Sequence, residues 1–153
     1  MPWIALAVLA LDQITKALVS LRLTEGQAIP LLPGILYLTR VHNYGGAFGI
    51  LNYQTGFFVL VGLAVLTGIG LAYVQVVRHR SRLLGWALAL AWGGAAGNLV
   101  DRVRLGYVVD FLDLRVWPVF NVADIALVAG IGLMAWETLR QARQEGADCG
   151  GQK

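Results

Sequence analysis

The sequence predicts an all-α membrane protein, a four-transmembrane-helix bundle with a small extracytoplasmic loop region containing β-structure. Three observations predict it. Of 153 residues, 58% are hydrophobic and 14% charged, and the mean hydropathy is +0.66, too apolar for a soluble domain of this size. Four apolar runs, at about residues 3–21, 57–77, 83–100 and 119–138, approach the roughly 20 residues needed to cross a hydrocarbon core about 30 Å thick. Two punctuated, more polar stretches, 22–56 and 101–118, lie between them. Residues 1–140 therefore read as one integral membrane domain and 141–153 as a polar cytoplasmic tail.

The first run lacks a basic leading segment and contains Asp12, Gln13 and Lys16, so it reads as a retained helix rather than a cleavable signal. Asp12 and Lys16 are four residues apart and share a helical face. They either neutralise each other or brace a polar site; bracing is favoured, since an Asp beside a cation stays ionised. Gly26, Pro30, Pro33 and Gly34 then break the chain, and ILYLTRVHN, residues 35–43, reads as a strand. In NYGGAFG the glycines at 45, 46 and 49 permit close backbone approach. Asn43 is there either to hydrogen-bond a substrate peptide or as a turn residue.

The second run is uninterrupted and ends in RHRSR, residues 78–82, whose clustered arginines mark a cytoplasmic loop. The third run closes on GGAAG, suited to tight helix packing, and YVVDFLDLRV, residues 107–116, reads as a second strand. With the arginine loop inside, both termini are cytoplasmic and both longer loops lie outside.

The inventory of reactive groups is short. The formal charge of +3 and pI near 9.4 come from scattered basic residues and loops, which fits topology signals rather than nucleic acid. Cys149 is the single cysteine, so there is no disulfide framework. Ser20 and Ser81 are the only serines and neither sits in a GxSxG setting; His42 and His79 lack HExxH spacing and fall on opposite sides of the membrane. No metal or cofactor is called for.

Carboxylates remain. Ionisable groups near hydrocarbon are costly and read by default as functional, and four spans gather Asn43, Asn98, Asp101, Arg102, Asp110, Asn121 and Asp124 at the outer face. Two close carboxylates share one proton and can activate water against an amide. Asp110, between Val109 and Phe111, and Asp124, opening an apolar helix, have the apolar neighbours that raise a carboxyl pKa. Asp101 adjoins Arg102 and lies one turn from Asn98, so it reads as structural. Arg102 either holds a substrate carbonyl or pairs with Asp101. Asp113 is assigned to the opposite strand face as a solvated loop residue, and Asn121 either orients Asp124 or caps its helix.

DQITK (12–16), NYGGAF (43–48), GNLVDR (97–102), VVDF (108–111) and FNVAD (120–124) together resemble the motif set of the bacterial lipoprotein signal peptidases, or signal peptidase II, over Asp12 to Trp136. Gly46 stands where many members carry alanine. The resemblance implies an inner-membrane aspartic endopeptidase that removes signal peptides from prolipoproteins, cutting N-terminal to the diacylglyceryl-modified lipobox cysteine. It places the catalytic pair on Asp110 and Asp124, and the supporting residues on Asp12, Lys16, Asn43, Asn98, Asp101, Arg102 and Asn121. The implied partners are diacylglyceryl-modified prolipoproteins and membrane lipid, and a monomer is expected. A substrate arriving through the bilayer meets the outer loops, of which 22–56 is expected to cover the cleavage site. A proton- or ion-coupled carrier would spread polar groups through the membrane depth, and a structural subunit with paired charges would leave Asp110 and Asp124 without cationic partners nearby in sequence; the sequence ranks both lower.

Overall fold

A computed structural model describes residues 2–45, 54–78 and 82–150, with side chains apart from 77–78 and 145–150. Gly46 and Gly49, residues 79–81 of the arginine loop, the Cys149 side chain and residues 151–153 lie outside what is described. The elements run α1 (Pro2–Arg22), β1 (Ala28–Leu32), β2 (Leu36–Asn43), α2 (Thr55–Arg78), α3 (Arg82–Leu105), β3 (Val108–Asp113) and α4 (Val122–Gly150). All four helices are long and apolar enough to cross a membrane.

Apolar periodicity gives little guidance to orientation here, because lipid solvates apolar surface as well as a core does. The apolar window of α2 has no residue buried inside the protein, and Leu60, Leu63 and Leu71 are exposed along it. Small residues do the packing instead. The α3 helix is central, touching each of the other three, and buries Ala87, Ala91, Gly93, Gly94, Ala95, Ala96 and Gly97. At Gly97 a Cβ would stand 2.5 Å from Oδ2 of Asp12 and 3.1 Å from the Ala123 methyl. Only a hydrogen in that place lets α1, α3 and α4 meet around the Asp12 carboxylate.

Three element ends differ from expectation. The third apolar run was expected to end at residue 100, with Asp101 and Arg102 in a loop, yet α3 continues to Leu105. Polar side chains with partners on neighbouring helices do not stop a helix; the left-handed Gly106, at φ 83°, does. At the other end of this connection, Phe120 bridges back to Leu112, so α4 starts at Val122 rather than near 119. It runs on to Gly150 because ETLRQARQE is made almost wholly of good helix formers.

The strands form one antiparallel sheet in the order β1-β2-β3. Leu38 is opposite Leu112, while Val41 is opposite Asp110, so β2 uses one more residue than β3 across that interval. This bulge restores a pairing that puts Asn43 opposite Val108. The sheet is fixed to the bundle by Phe111, which packs with Val19 and Leu23 at the end of α1.

Candidate active site

Below the sheet lies a buried ionic cluster. Asp12 is fully buried, and Lys16 and Asp101 are nearly so. Lys16 Nζ lies 2.9 Å from Asp12 Oδ2, 3.0 Å from Asp101 Oδ2 and 3.0 Å from the acceptor Asn98 Oδ1. All three ammonium hydrogens are thereby used. The carboxylates hold more than the lysine: Asp12 Oδ1 accepts from the Ala123 N–H at 3.0 Å, and Asp101 Oδ2 accepts from the Val109 N–H at 3.1 Å. Gln13 Nε2 donates to Asp101 Oδ1 at 2.9 Å and to Asp12 Oδ2 at 3.2 Å. One set of charges therefore ties α1 and α3 to the first turn of α4 and to β3.

On this platform sit Asp110 and Asp124. Asn121 caps α4 with reciprocal bonds: its N–H donates to Asp124 Oδ2 at 3.1 Å, and its Oδ1 accepts from the Asp124 N–H at 3.0 Å. Its Nδ2 donates to Asp110 Oδ1 at 2.7 Å and to Asn98 Oδ1 at 3.1 Å. Asn98 Nδ2 completes the circuit by donating to Asp124 Oδ1 at 2.7 Å. Asn43 Nδ2 donates to Asp110 Oδ2 at 2.9 Å, with its own oxygen held by the Gly45 N–H at 3.0 Å. Each carboxylate therefore receives donors on both oxygens. Asp110 is buried and Asp124 half-buried. Burial, and then the neighbouring Asp124 charge, push the Asp110 carboxyl up to about 7, against the lowering effect of the Asn43 and Asn121 bonds and the Lys16 charge.

A sequence model of the family described as signal peptidase (SPase) II matches residues 4–140. The chain belongs to the signal peptidase II family. It is 46% identical to the lipoprotein signal peptidase of Pelotomaculum thermopropionicum over 88% of each chain. It is also 46% identical to that of Moorella thermoacetica, over 95% of this chain and 96% of the relative. A solved bacterial membrane enzyme, determined in meso at 2.3 Å, superposes with a TM-score of 0.82 at 31% identity, covering 92% of this chain and 87% of that one. Members are aspartic-type proteases, and the chain is a membrane protease of that type.

Within this signal peptidase II chain several expected partnerships change. Asp101 is neutralised by Lys16, not Arg102; adjacent residues on a helix diverge by about 100° and do not face each other. Asn98 serves Lys16 and Asp124 rather than Asp101. Arg102 instead donates to Gly45 O at 3.2 Å and Asn98 O at 3.4 Å, with its guanidinium 5.1 Å from the Phe58 ring centroid. Asp113 is not a solvated loop residue: it is buried at the end of β3, accepts from Thr39 Oγ1 at 2.9 Å and holds the Arg115 N–H at 2.8 Å. Asn121 both caps the helix and touches both aspartates, so its two alternatives are one arrangement. Gln13 was not assigned a role from sequence, although an amide inside an apolar run was a signal that a buried charge needed a donor.

Proposed function

We propose that Asp110 and Asp124 are the catalytic pair of an endopeptidase that cuts prolipoproteins N-terminal to the diacylglyceryl-modified lipobox cysteine. One observation carries the assignment: both carboxylates are hydrogen-bonded to a single residue, Asn121, at the sheet end of the bundle. Burial and mutual repulsion leave the pair with one shared proton near neutral pH. Asp110, pushed up to about 7, carries it. Asp124 is assigned the ionised role: it stands at the N-terminus of α4, where the helix dipole favours an anion, with donors on both oxygens.

The chemistry follows. Asp124 takes a proton from a water as its oxygen bonds to the scissile carbonyl carbon, and Asp110 gives its proton to the carbonyl oxygen. In the resulting diol the proton held by Asp124 passes to the amide nitrogen. The C–N bond breaks, and a diol proton returns to Asp110 as the carboxylic acid forms. Asn43 and Asn121 keep the two acids in reach of one water. Arg102, held over Phe58 beside Gly45, is the cation placed to fix the substrate backbone.

A signal helix already in the bilayer reaches this end laterally, and the sheet covers it. The arginines of RHRSR favour a cytoplasmic α2–α3 turn, which puts both termini inside and the pair at the outer face of a bacterial inner membrane. The chain acts as a monomer. The test uses purified Asp110→Asn and Asp124→Asn with a diacylglyceryl-modified prolipoprotein and its unlipidated precursor. Each variant is expected to lose cleavage by at least about 10³-fold. Near wild-type cleavage by either would end the pair assignment, and equal cleavage of both precursors would end the substrate assignment.

A further inference from the structure

On the side of β3 away from Asn121 is a cavity of about 260 Å³, walled by Gln13, Lys16, Ser20, Arg40, Asp101 and Arg104 among others. Successive strand residues face opposite ways, so Val109 borders this cavity while Asp110 is turned to Asn121. It lies between the second half of α1, the end of α3 and the sheet.

Its cations are not all spent. Lys16 is committed to Asp12, Asp101 and Asn98. Among the described residues neither Arg40 nor Arg104 makes an ion pair with a carboxylate. Arg40 Nη1 closes the end of α1, donating to Leu23 O at 2.9 Å and Ser20 O at 3.2 Å; its Nε is shut away from the cavity, while Nη2 has no acceptor among the described residues and is not buried. An accessible guanidinium nitrogen without an acceptor can take an anionic oxygen. Arg104 is exposed one residue from the end of α3, free to supply a second fork.

Position selects the anion. Ser20 and Arg104 stand two and one residues from the ends of their helices, at the level where the spans leave hydrocarbon. Beside them Leu21 is 81% and Val103 66% exposed, apolar surface of the kind that acyl chains cover. The ligand is thus charged at the cavity and apolar alongside it. We propose that this cavity seats the phosphate of an anionic glycerophospholipid, held by Arg40 and Arg104, with its acyl chains along α1 and α3. The seat is separate from the peptidase reading: it would fix the depth of the sheet in the bilayer whatever the chemistry on the other side.

The test is native mass spectrometry of the delipidated full chain in detergent, titrated separately with short-chain phosphatidylglycerol, the matching diacylglycerol and inorganic phosphate. One phosphatidylglycerol per chain is expected, with the diacylglycerol and inorganic phosphate each bound at least about tenfold more weakly. Arg104→Gln, an exposed change that breaks no hydrogen bond among the described residues, is expected to weaken phosphatidylglycerol by about tenfold, and Arg40→Lys, which keeps charge but loses the fork, by a similar factor. Equal binding of diacylglycerol would reduce the seat to apolar contact and overturn the proposal. Equal binding of inorganic phosphate would make it a free-anion site and overturn the lipid assignment. Unchanged phosphatidylglycerol binding in both arginine variants would overturn the location.

Discussion

Asn121 donates from Nδ2 to Oδ1 of Asp110 across 2.7 Å, joining the cap of α4 to the middle of β3. The same residue holds Asp124 through its main chain and Oδ1, so the angle between the two acids is set by one amide. Replacing it with Ala removes the cap and a donor to Asp110 together. Asn121→Ala is expected to cost about 1 kcal/mol of stability and about 10²-fold in kcat, measured by thermal unfolding and by initial rates on lipidated precursor. A rate within twofold of wild type would show that the amide does not position the pair.

On the proposed assignment of the pair, the Asp110 proton sets the pH dependence. With the folded value at about 7 against an ordinary 3.8, the folded chain binds this proton more tightly than the unfolded one between those values. The stability it contributes is complete below the unfolded value and is lost as pH rises through about 7. Unfolding temperature is expected to fall between pH 5 and pH 8, and kcat/KM to fall on an alkaline limb near 7, since the pair then loses its shared proton. Asn43 lowers this value through its bond to Oδ2, so Asn43→Ala should move the limb to higher pH. Movement the other way, or none, would contradict the role given to that bond.

Lys16 stands between two buried carboxylates. Lys16→Met leaves Asp12 and Asp101 facing each other without their cation, and removing one partner of a buried ionic set costs about 3–5 kcal/mol. The expected result is a folded yield or unfolding temperature well below wild type, with partial recovery when Asp101→Asn is added. No recovery in the double variant would mean that the loss comes from packing of the lysine stem rather than from charge.

Asp113 supplies a control. It is buried, but its partners are Thr39 and Arg115, not the Asn121 circuit. Asp113→Asn is expected to lower stability by about 1 kcal/mol while leaving kcat within twofold. A large loss of kcat without a stability change would bring this third carboxylate into the reaction.

Hydrocarbon thickness imposes run length, which is why four spans were legible in the residues alone. Their ends were not, because hydropathy stops being informative where polar side chains begin to pair across helices. Asp101 and Arg102 look like loop residues on composition, yet both are helical, with partners on α1 and at Gly45. Choosing a partner for Asp101 by adjacency failed for the same reason: Lys16 is remote in sequence and near only after α1 and α3 pack. The strand alternation that separates Asp113 from Asp110 was legible. Its burial was not, since Thr39 and the covering strand arrive from a distant stretch. The gathering of Asn43, Asn98 and Asn121 around two aspartates was readable as a cluster, but its wiring was not, because an amide commits its oxygen and nitrogen only when geometry is fixed.

The surplus residue that β2 carries between Leu38 and Val41 makes the sheet sensitive to whole-number changes in chain length. Shortening β2 there by one position would swap inward and outward along everything up to Asn43, and that amide would aim away from the acid it now steadies. Substitutions can be absorbed by degrees in this segment, whereas insertions and deletions act as an on-or-off change of orientation.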